Sequence, residues 1–78
     1  MIDAKQAAKT AADYLTQIVG TVHNVRIEEV ELSQNELEWT ITLSYSEDPY
    51  SFGGKQYKVF RINTNDGKVM SMKIRPLK

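Results

Sequence analysis

The sequence predicts an α+β fold: an N-terminal helix packed across one face of a four-stranded antiparallel sheet, the strands following one another as a meander. Three observations lead there. Residues 4 to 19 carry an apolar stripe at three- and four-residue spacing, the residues around Trp39 alternate apolar and polar strictly, and the later apolar runs are separated by turn-forming clusters. Helix first and strands afterwards, with no helix between strands, favours antiparallel pairing with the helix on one face. At 78 residues there is room for one hydrophobic core, so residues 1–78 are expected to form a single domain.

The helical stripe consists of Ala4, Ala7, Ala8, Ala11, Leu15, Ile18 and Val19. Asp3 and Gln6 have the spacing of a capping box, and Gly20 supplies the left-handed residue that ends helices easily. A stripe so rich in alanine lets the helix lie close to a sheet of large residues. In the first strand Val25 and Ile27 share one parity, Val30 and Leu32 the other, which predicts a bulge near Glu28-Glu29. Ser33-Gln34-Asn35-Glu36 is the expected turn. Next, Leu37, Trp39, Ile41, Leu43 and Tyr45 alternate with Glu38, Thr40, Thr42, Ser44 and Ser46, the pattern of an inner strand with one apolar and one wet face. Residues 57 to 64 form a third strand, Asn65-Asp66-Gly67 a short turn, and Val69 to Ile74 the fourth strand, which Pro76 ends.

The composition removes several kinds of chemistry. There are no cysteines, hence no disulfides, thiolate zinc sites or cysteine nucleophiles. Met1-Ile2-Asp3-Ala4-Lys5 lacks a basic stretch followed by an apolar run, and no apolar segment approaches the ~20 residues of a membrane span. The expected setting is cytoplasmic, with no membrane contact. Net charge is zero, but residues 1 to 54 hold nine acids and three bases, and residues 55 to 78 seven bases and one acid. Such a bipolar surface selects a charged partner or self-associates head to tail. Its structural counterpart is acidic and basic strands lying side by side and pairing across the sheet.

The irregular stretch 46–56 is long for a hairpin connection. Within it Pro49, Tyr50, Phe52, Gly53 and Gly54 are the candidate binding residues, two rings on an adaptable loop that grips a peptide or small ligand; alternatively the rings plug the core. His23, the single histidine, has no placed partner for acid–base work. Glu28, Glu29, Glu31, Glu36 and Glu38 read as a solvated sheet face rather than paired catalytic carboxylates or a cation site. Gly53-Gly54-Lys55 lacks the glycine spacing and the hydroxyl residue of a phosphate loop. Lys58, Arg61, Lys68, Lys73 and Arg75, with Tyr57 and Phe60 among them, offer a stacking platform for single-stranded nucleic acid, against which the acidic first half works. No catalytic residues, metal or cofactor are expected.

The run Tyr57-Lys58-Val59-Phe60-Arg61-Ile62-Asn63-Thr64-Asn65-Asp66-Gly67-Lys68-Val69 resembles the closing hairpin of PepSY-like domains. The helix, the strand Val25 to Leu32 and the Trp39 strand fall in the same order, so the resemblance covers most of the chain. It implies a small cystatin-like α+β module of the kind associated with the cell envelope and proposed to restrain peptidases. The Pro49 to Gly54 loop departs from that pattern. Taken together, the expectation is a non-enzymatic binding or regulatory module whose partner is a protein, a peptide or a second copy of itself. That partner would meet the wet face of Thr40, Thr42 and Ser44, a strand edge, or the Tyr50-Phe52 loop. The alternatives are a ligand pocket between helix and sheet with His23, Glu28 or Tyr45 as its polar groups, and nucleic-acid binding by the basic hairpin.

Overall fold

Asp3 fixes where the chain turns helical. Its carboxylate accepts from the Gln6 backbone N–H at 2.8 Å, and the Gln6 side chain accepts from the Asp3 N–H at 3.0 Å. Helix α1 runs Ala4–Val19, and Gly20, at φ 93, turns the chain out of it while donating to the Thr16 carbonyl. The computed structural model describes residues 1–50 and 54–74. Four strands follow the helix: β1 (His23–Leu32), β2 (Glu38–Ser46), β3 (Gln56–Asn63) and β4 (Val69–Ile74). They form one antiparallel sheet in the order β1-β2-β3-β4, as the sequence predicts, with β1 and β4 at its two edges.

The register decides which side chains meet the helix. Ile27 lies opposite Leu43 and Val30 opposite Ile41, with a shift between Ile27 and Glu29 that places the bulge where the parity change predicts it. A second shift separates His23 from Arg26, around Asn24 at φ 56. The β2–β3 ladder is regular from Glu38 opposite Asn63 to Tyr45 opposite Gln56. At the last hairpin the Asn63 side chain accepts from the Asn65 N–H at 2.7 Å, and Gly67, at φ 73, donates to the Asn63 carbonyl.

The core lies between α1 and the inner strands. Ala7, Ala11 and Leu15 pack on Ile41, Leu43, Tyr45, Phe60 and Ile62, and the Tyr14 ring meets Phe60 edge-on at 6.3 Å. Thr64 ties the start of the chain to this body. Its carbonyl accepts from the Ile2 N–H at 2.8 Å, its hydroxyl donates to the Glu36 carbonyl at 2.8 Å, and its N–H donates to the Leu37 carbonyl at 3.0 Å. The Trp39 indole adds a bond to the Ile2 carbonyl at 3.1 Å.

Three expectations are corrected here. Ile18 keeps the angular position of the apolar stripe, yet it falls past Leu15, the last buried helix residue, and is 56% exposed. Leu37 is 57% exposed because β2 begins one residue later; the turn holds it, its N–H donating to the Asn35 side chain at 3.0 Å. The row expected to be wet is not: Thr42, Ser44 and Ser46 are buried between the flanking strands. Glutamates of β1 reach over that row, where the Ser44 hydroxyl donates to Glu28 at 2.6 Å and the Thr42 hydroxyl to Glu29 at 3.5 Å.

Candidate functional site

Alternation along β1 sorts its side chains onto two sides of the sheet. Ile27, Val30 and Leu32 share the helix side through their pairs Leu43, Ile41 and Trp39, whereas Glu29 and Glu31 share the other side through Thr42 and Thr40. α1 lies chiefly over β2, and the outer strand beside it stays partly uncovered: Ile27 is 55% and Val30 41% exposed. Glu29, Val30, Glu31 and Thr40 line an open hollow of about 360 Å³ beside this edge. The Ser44 hydroxyl first, and Lys55 and Arg26 behind it, hold the Glu28 carboxyl below the usual carboxylate value. An edge strand of this make-up combines backbone hydrogen-bonding capacity, apolar surface on one side and negative charge on the other.

The residues named from sequence scatter over the molecule. Tyr50 is 75% exposed, with its N–H on the Asp48 side chain at 2.9 Å, so this ring does not plug the core. Pro49 and Gly54 are exposed as well, while Phe52 and Gly53 lie outside the described residues. His23 opens β1 opposite Ser46. Glu28 sits exposed over the Ser44 row, and Tyr45 is buried on the helix side, where desolvation first and Glu47 second push its phenol above the usual value. These three do not converge. The layer between helix and sheet is filled by Leu15, Ile41, Leu43, Phe60 and Ile62, all fully buried.

The stacking platform divides in the same way. Phe60 is fully buried against the helix, and Lys58 shares its side of the sheet through Leu43, whereas Tyr57 and Arg61 face the other side through Ser44 and Thr40. Arg61 is held by Glu38, Nε to Oε2 at 2.6 Å and Nη2 to Oε1 at 2.7 Å, which keeps the Glu38 carboxyl below its usual value. This bridge is the side-by-side pairing expected of opposite charges. The acidic β1 and the lysine-bearing β4, however, occupy opposite edges instead of adjacent places. Among the described residues no group of His, Asp and Glu side chains is placed to hold a metal, and no helix is long and apolar enough to cross a membrane.

Sequence reading missed the open apolar side of β1. The signal was present in the parity switch at Glu28, which realigns Val30 with Ile27, but how far a helix reaches across a sheet is not written in alternation. No protein-family model matches the chain, and no match is found among curated proteins or solved structures.

Proposed function

We propose that the chain is a non-enzymatic binding module that captures an extended, basic segment of a protein partner by strand addition to β1. The observation that carries this reading is the two-sided chemistry of one edge strand: Ile27 and Val30 open on the helix side, Glu29 and Glu31 on the other. A strand alternating apolar and basic residues matches both sides at once. The longest regular stretch is Glu29 through Leu32, with Ile27 paired on the far side of the bulge, so the docking stretch is short and the affinity modest. The PepSY-like resemblance belongs to the same proposal, and the element order α1 to β4 agrees with it. A second contact region at Pro49, Tyr50 and Gly54 is supported by the exposed Tyr50 ring.

Titration of the isotope-labelled chain with a synthetic peptide of alternating valine and lysine tests the reading. Amide shifts should concentrate in residues 29–32 and shrink with added salt. Shifts spread evenly over the surface, or none at millimolar peptide, would sink it.

A further inference from the structure

The opposite edge of the same sheet carries a strand of the kind that β1 suits. On β4, Met72 and Ile74 share the helix side through Phe60 and Lys58, while Ser71 and Lys73 share the other side through Arg61 and Val59. Ile74 is 72% exposed. Apolar residues on one side and a base, Lys73, on the other are what the β1 edge fits.

Direction and charge point the same way. Three successive antiparallel pairings make β1 and β4 run oppositely, so β4 of one copy laid beside β1 of another, helices on the same side, meets it antiparallel. Setting Lys73 opposite Glu31 brings Ile74 opposite Val30 and Met72 opposite Leu32. Apolar then faces apolar on the helix side, and opposite charges face each other on the other. Pairing β1 with β1 would set glutamates against glutamates, and pairing β4 with β4 so that Met72 meets Ile74 would set Lys73 against Lys73. The charge pattern of the two edges disfavours like-with-like and favours the mixed pairing.

We propose that the chain associates head to tail, β4 of one copy adding to β1 of the next, so that neighbouring sheets join into one. This rests on the strand-addition reading of β1 and names a second copy as the occupant. Contacts of this type are heterologous and propagate instead of stopping at two copies. An edge-to-edge contact buries little area, so association is weak and needs high protein concentration.

Sedimentation equilibrium of the full chain, at low and high salt, provides the test. The weight-average mass should climb from 8.9 kDa with concentration and pass that of two copies, and salt should lower the association constant. Glu31→Lys and Lys73→Glu should each weaken association by about threefold to tenfold. An equimolar mixture of the two variants should recover it, because each supplies the edge that the other lacks; recovery also shows that both are folded. A mass fixed at 8.9 kDa up to millimolar protein at low salt overturns the proposal, as does a dimer that Lys73→Glu leaves unchanged. If the chain stays monomeric while the valine–lysine peptide still shifts the β1 amides, self-association falls and the strand-addition reading stands. If the peptide has no effect either, both fall.

Discussion

Leu15→Ala tests whether the helix–sheet layer is the main source of stability. Leu15 is fully buried among Ala7, Ala11, Ile41, Leu43, Tyr45, Phe60 and Ile62. The substitution removes about three carbon groups at ~0.8 kcal/mol each, and the cavity left behind brings the expected loss to ~3–4 kcal/mol, inside the usual ~2–5 kcal/mol range. A chain of 78 residues has a total stability of roughly 4–12 kcal/mol, so this single change removes a large fraction of it. Urea unfolding followed by far-UV circular dichroism should show the midpoint falling by about 3 M, for a slope of ~1 kcal/mol per M. Ile18→Ala is the internal comparison. It deletes as many carbons from the same helical stripe, but Ile18 is 56% exposed, so the loss should stay under ~1 kcal/mol. Two losses within ~0.5 kcal/mol of each other would refute the packing described here.

Further tests address individual contacts. Thr64→Val keeps the shape of a buried side chain but removes the hydroxyl bond to Glu36, and should lower stability by about 1 kcal/mol, a melting temperature several degrees lower by calorimetry. Glu38 has its folded pKa held below the ordinary 4.5 by the Arg61 hydrogen bond, so the unfolded chain takes up that proton first. The pair's contribution is therefore complete above pH 4.5 and lost as pH falls through the lowered value; Glu38→Gln should flatten that acid decline in chemical-denaturation series. Tyr45 shows the opposite sign. Burial raises its pKa above 10.0, stability from this group is full below pH 10.0 and lost as pH rises further, and Tyr45→Phe should flatten the alkaline decline.

What the sequence made legible was whatever rests on local chemistry. Asp3, Gln6 and Gly20 mark the helix through hydrogen bonds within a few residues, Asn63 to Gly67 shape the last turn in the same way, and the Glu28 bulge is visible because it changes parity within one strand. The errors lie where burial depends on distant neighbours. Thr42 and Ser44 alternate as wet residues do, but glutamates from β1 cover them. Leu37 and Ile18 have the right period and stand outside the layer that buries it. The candidate docking strand escaped for the same reason, since Ile27 and Val30 are exposed on an edge of the sheet, a place that their own neighbours in sequence do not reveal.

The bonds that tie Ile2 to Thr64 and Trp39 bear on how the chain acquires its structure. Each strand pairs with its successor, so the hairpins can zip locally, whereas the Ile2 N–H finds the Thr64 carbonyl only after nearly the whole chain has closed on itself. The single tryptophan sits at that junction, its indole bonded to the Ile2 carbonyl. In stopped-flow refolding, native Trp39 emission should therefore arrive after the far-UV signal of the strands, which makes this one residue an intrinsic timer for the moment the helix seats.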